Sequence, residues 1–140
     1  MRRELSDLIR AIARQDWDAV DRLLDELNYL GWEGWPQALA AAFEVSVARR
    51  FRGQSLQQIA DFVRETRALY QEGETLPALE MEGMIRAVLG ETHLVDSIDS
   101  ETALSALIVL LGTLLPDFDF TEAQLEEFLK EVEELAAEHM

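Results

Sequence analysis

TEAQLEEFLKEVEELAAE, residues 121–138, carries Leu125, Phe128, Leu129, Val132, Leu135 and Ala136 at intervals of three and four. A helix turning once every 3.6 residues gathers these side chains into one stripe, whereas the period of two in a strand would scatter them over both faces. The start of the element is also marked. Thr121 and Gln124 have the spacing of a capping box, and Phe120 with Leu125 has that of a hydrophobic staple. The sequence therefore predicts an amphipathic helix running to about Glu138.

Just upstream, residues 103–115 are apolar nearly all round, with Leu107, Leu110, Leu111 and Leu114 among them. Such a helix is covered on every side, either at the centre of a bundle or by a second copy of the chain. Asp99 or Ser100 can cap its start, and Pro116 is expected to stop it. The run is too short and too interrupted by Ser105, Gly112 and Thr113 to span a bilayer.

The same reading extends to the N-terminus. A first helix is expected over 3–14 on Leu5, Leu8, Ile9 and Ile12, and a second, capped by Asp16, on Trp17, Val20, Leu23, Leu24 and Leu27. The break between them is short enough that one kinked element is an alternative. A third helix should follow Pro36, turning Leu39, Ala42, Phe43, Val47 and Phe51 inward. Ser55 and Gln58 form a second capping box, opening a fourth helix with Leu56, Ile59, Ala60, Val63 and Tyr70 inside, and Phe62 and Leu69 on a neighbouring edge. Gly73 and Thr75 mark a turn. Pro77 then opens a fifth helix through Leu79, Met84, Ile85, Val88 and Leu89. Residues 91–99 read as a loop. The fold class is all-α, a compact irregular bundle of about six or seven helices with mostly antiparallel neighbours, in one domain over 1–140.

Composition narrows function more by exclusion than by assignment. The chain has 140 residues, 49% of them hydrophobic, and no cysteine. A core of ordinary size is therefore available without disulfides, and thiolate chemistry is excluded. The first residues lack the apolar stretch of a signal peptide, which points to a cytoplasmic protein. Net charge is -16 and uneven: residues 1–70 carry 10 basic and 11 acidic side chains, residues 71–140 carry 2 basic and 17 acidic. A half-chain of that sign repels phosphate backbones and anionic lipid, which argues against direct nucleic-acid binding and against a membrane surface, and it attracts a basic partner.

Motifs that carry chemistry are sparse. Phosphate-binding glycine loops, H-E-x-x-H and nucleophile-elbow patterns are all missing, and no cofactor is implied. The residues closest to a metal site or an acid–base centre are Glu80, Glu82, Glu91, His93 and Asp96, with Asp99 beyond them. Imidazole and carboxylates suit a divalent metal in a hydrolase, yet Glu80 and Glu82 diverge by roughly 200° on a helix. Glutamates at 127, 131 and 134 share a side of the last helix, but the Glu-x-x-His motif of helical di-metal sites is absent. Residues 55–60, SLQQIA, superficially resemble the opening of a helix-turn-helix. Arg49, Arg50, Arg52, Arg64 and Arg67 lend local positive charge there, which the acidic second half opposes.

The resulting expectation is a non-enzymatic protein-interaction or regulatory domain. Its partner would be basic, engaged by Glu126, Glu127, Glu131, Glu133 and Glu134, with Trp32 and Trp35 of the aromatic turn as further contact residues. A narrower version has the acidic face imitate nucleic acid. The alternatives are the metal-dependent hydrolase and a structural homo-oligomer joined through the apolar faces of the third and sixth helices.

Overall fold

The computed structural model describes residues 3–31, 35–69, 78–96 and 98–138. Among the described residues there are seven α-helices and no strand: α1 (Arg3–Ala13), α2 (Trp17–Leu30), α3 (Trp35–Phe51), α4 (Leu56–Leu69), α5 (Ala78–Val88), α6 (Ser100–Asp117) and α7 (Glu122–Glu138). A 3-10 turn over Thr92–Val95 links α5 to α6. Trp32, Tyr70, Gly73, Thr75, Pro77 and His139 lie outside the described residues, as do the side chains of Trp35 and Pro36.

Helix starts follow the capping signals. Thr121 accepts from the Gln124 amide at 3.2 Å while the Gln124 side chain accepts from the Thr121 amide at 2.9 Å. Ser55 and Gln58 repeat this reciprocal pair at 3.2 and 2.7 Å. Asp16 accepts from the Ala19 amide at 3.2 Å, and Asp99 from the Thr102 amide at 2.7 Å. Each removes an amide that the helix itself leaves unsatisfied. Phe120 packs its ring against Phe118 at 5.4 Å and Phe128 at 5.2 Å, which fixes how the chain enters α7.

Helix ends use left-handed residues. α1 closes with the Gln15 amide on the Ile12 carbonyl and the Asp16 amide on the Ala11 carbonyl, while Gln15 holds φ 57°. This is a Schellman end with glutamine where glycine is usual, and it makes α1 and α2 two helices, not one kinked element. α5 closes in the same way around Gly90 at φ 128°. α6 continues through Pro116 to Asp117 instead of stopping before it. The ring sits in the last turn, where only one amide is lost, and the Phe118 and Asp119 amides still reach the Leu115 and Pro116 carbonyls.

The centre of the bundle is α3. It packs on α7, α6, α1 and α5, and Ala38, Leu39, Ala41, Ala42, Val45 and Val47 are all buried. Four small side chains, Ala38, Ala41, Ala42 and Ser46, let neighbours approach on most sides of this helix. The Ser46 hydroxyl is satisfied by the Ala42 carbonyl at 2.7 Å. α6 packs against α1, α3, α4 and α5, which buries Ala106, Leu107, Leu110, Leu111, Leu114 and Leu115 and leaves Leu104, Ile108 and Val109 part-buried. α2 is peripheral and rests on α1, and α4 lies on α5 and α6.

Four inward assignments are corrected. Trp17 is 43% exposed, Leu56 58%, Leu79 81% and Leu89 38%. The first three occupy the first or second position of α2, α4 or α5, and Leu89 follows the last residue of α5. A stripe of period three and four drifts slowly around a straight helix, so its first members fall at the edge of the buried face. Leu69, at the far end of α4, is likewise exposed, whereas Phe62, placed on an edge by the spacing, is buried and meets Phe51 edge-on at 5.0 Å.

Candidate acidic interface on the last helix

Burial of Leu125, Phe128, Leu129, Val132 and Ala136 fixes how α7 is rotated and divides its carboxylates into three groups. On the edge facing α1, Arg10 binds Glu126 at 2.8 Å and Arg14 binds Glu122. On the edge facing α3, Arg49 binds Glu131 at 2.7 Å and also lies over the Phe128 ring at 5.4 Å. Arg10 is held in place from its own helix by Asp7 at 3.0 Å. The near-neutral first half and the acidic second half thus meet along the solvent-exposed edges of α7, where part of the acidic charge is paired within the chain.

The third group is different. Glu127, Glu133, Glu134 and Glu138 are exposed and make no ion pair among the described residues. Glu127, Glu134 and Glu138 follow the outward ridge, since spacings of seven and four return to nearly the same side of a helix. Lys130 is exposed on the same side. Of the five glutamates singled out from sequence, Glu127, Glu133 and Glu134 are available to a partner, while Glu126 and Glu131 are bonded to arginines. Glu138, not singled out, joins the outer set. Its position on the ridge was readable from its distance to Glu134.

The other sequence candidates are placed as follows. Glu91 is gripped by Arg86 through two bonds, 2.6 Å to Nε and 2.8 Å to Nη2, and its own amide donates to the Arg86 carbonyl at 3.0 Å. The hydrogen bond from Arg86 holds the Glu91 carboxyl below the usual glutamate range against the opposing effect of burial, with further help from the Arg86 and His93 charges. His93 and Asp96 are exposed on and just after the 3-10 turn. Glu80 and Glu82 are part-buried on α5. Among the described residues no three His, Asp or Glu side chains are placed to hold a metal ion together, so the set Glu80, Glu82, Glu91, His93 and Asp96 is not assembled.

Three arginines of the locally basic stretch of α3 and α4 have partners within the chain. Arg49 is bonded to Glu131, Arg64 to Asp61 at 2.8 Å, and Arg50 lies over the Phe51 and Phe62 rings. Trp32 lies outside the described residues and Trp35 is placed only as the first residue of α3. The apolar faces of α3 and α6 meet one another within the chain. No helix among the described residues is long and apolar enough to cross a membrane.

No family model, no curated protein and no solved structure matches the chain.

Proposed function

We propose that the protein is a non-enzymatic interaction or regulatory module that engages a basic protein partner through the outer ridge of α7. The observation that supports this reading is the division of the α7 carboxylates. Glu122, Glu126 and Glu131 face arginines of α1 and α3, while Glu127, Glu133, Glu134 and Glu138 face solvent without an ion pair among the described residues. Only Glu134 and Glu138 in this set stand four apart, a spacing at which like charges destabilise a helix slightly, and Lys130 is the one basic residue of α7, so the ridge leaves net negative charge exposed on a helix already docked by its apolar stripe. A basic partner relieves that repulsion, and its approach is steered by the field of the whole chain.

The test is capture from native extract at low and high salt, with the wild-type chain and with Glu127, Glu133, Glu134 and Glu138 changed to Gln. The reading predicts a stoichiometric basic protein that is held at low salt, released at high salt, and missing from the substituted chain. Capture of the same protein by the substituted chain, or recovery of the bait alone at both salts, contradicts it.

A further inference from the structure

The longest stretch of the chain without a charged side chain lies in α6. No Asp, Glu, Lys or Arg occurs between Glu101 and Asp117. Burial of Ala106, Leu107, Leu110, Leu111, Leu114 and Leu115 fixes the inward side of this helix. Thr102, Ser105, Val109, Thr113 and Pro116, spaced three and four apart, therefore form one ridge on the other side, with Ile108 beside it. Ser105 is exposed and the other five are part-buried. The Thr113 hydroxyl donates to the Val109 carbonyl at 3.2 Å, and the Thr102 hydroxyl to the Asp99 carboxylate at 3.0 Å. Neither hydroxyl needs a partner from outside, so an apolar surface can cover this ridge at little cost.

An uncharged ridge roughly 22 Å long is unusual in a chain of net charge -16. Two copies repel through their exposed carboxylates, among them Asp18, Asp21 and Asp25 of α2 and Glu127, Glu134 and Glu138 of α7. On the α6 ridge a contact brings no like charges together. A twofold contact sets one surface against itself, here uncharged against uncharged. A charged partner would instead lose the hydration of its ions against this ridge. The surface area points the same way. The chain exposes 8147 Å², against roughly 7,300 Å² for a monomer of its mass. The surplus of roughly 800 Å² equals what each partner contributes to an interface of standard size.

We propose that α6 is a homodimer interface, in which a second copy of the chain packs its own α6 against Ser105, Val109, Thr113 and Pro116 across a twofold axis. This contact is independent of the capture of a basic partner by α7, and salt acts on the two in opposite senses. Screening weakens attraction between the acidic ridge and a basic partner, and it weakens repulsion between two copies of an acidic chain.

Sedimentation velocity of the full-length protein is run from about 5 to about 500 μM, at about 0.05 M and about 0.5 M salt. A reversible monomer–dimer equilibrium is expected, at least about threefold tighter at the higher salt. Ser105→Arg and Ser105→Glu, at an exposed position, should each weaken it about tenfold or more, because a charge of either sign is then buried without a partner. Helical circular dichroism of both variants should match wild type. Gln57→Arg, the same charge change at an exposed position on α4, should leave the equilibrium within about twofold. The proposal is overturned by a monomer at every concentration and both salts, by a dimer that dissolves at the higher salt, by one that survives both Ser105 substitutions, or by equal weakening in Gln57→Arg.

Discussion

Arg49 reaches from α3 to Glu131 on α7 at 2.7 Å, and the same guanidinium lies 5.4 Å from the centre of the Phe128 ring. One side chain thereby joins the central helix to the last one by charge and by its flat face. Both partners are partly exposed, at 39% and 53% of their side-chain surface, so the ion pair is screened and modest. A double-mutant cycle of Arg49→Met and Glu131→Gln should give a coupling of about 0.3–1 kcal/mol that shrinks as salt rises. Arg49→Met should cost more than Glu131→Gln, because it also removes the contact with Phe128. Equal single-mutant costs in denaturant melts would assign nothing to the ring.

Core substitutions should rank by the observed burial and not by the sequence stripe. Leu39 on α3 is fully buried, and Leu39→Ala should cost about 2–5 kcal/mol through lost burial and a residual cavity. Leu56→Ala, at an exposed position on α4, should fall within about 0.5 kcal/mol of wild type. Urea unfolding of the two variants checks the ranking.

The caps make a further prediction. Thr121→Ala and Ser55→Ala each break a reciprocal pair and should cost roughly 1 kcal/mol. Gln15→Gly should act in the opposite sense, stabilising by about 0.5–1 kcal/mol, because a left-handed residue in a Schellman end is replaced by the one without a Cβ. Thermal unfolding of the three variants reads both signs.

The Arg86–Glu91 pair sets a pH dependence. Its hydrogen bond lowers the Glu91 carboxyl below the usual glutamate range. A carboxyl lowered in the folded state contributes its stabilisation above its unfolded pKa and loses it as pH falls through the folded value. The Thr92–Val95 turn should therefore stay fixed at neutral pH and loosen only in acid below the ordinary range. The charges acting on the pair are His93 on Glu91 and Glu82 on Arg86. Amide exchange at Leu94 and Asp96, compared between wild type and Glu91→Gln across acid pH, measures this. The variant should show the faster exchange already at neutral pH.

The helical elements were legible because local chemistry states them. The Thr121–Gln124 and Ser55–Gln58 pairs, the aspartate caps and the apolar stripes all act within one or two turns. The centre of the bundle was less legible. The leucine-rich sixth helix drew attention, while α3 reaches the middle through Ala38, Ala41, Ala42 and Ser46, residues whose smallness carries weight only once neighbours are known. The 3-10 turn at 92–95 had no periodic signal, and its anchor is a side-chain pair five residues apart. The acidic helix was visible as such, but pairing of Glu126 with Arg10 spans 116 positions and that of Glu131 with Arg49 spans 82. No spacing rule reaches that far, so five glutamates read as one surface while two of them belong to internal contacts.

The measurement that bears most directly on the proposed function compares two sets of substitutions of equal charge change. One replaces Glu127, Glu134 and Glu138 with Gln; the other replaces Glu122, Glu126 and Glu131. Each is assayed for melting temperature and for retention of the basic partner at low salt. The account predicts that the outer set abolishes retention with the melting temperature held, and that the flanking set lowers the melting temperature and keeps the partner. Retention by the outer set, or equal loss of partner in both, would contradict it.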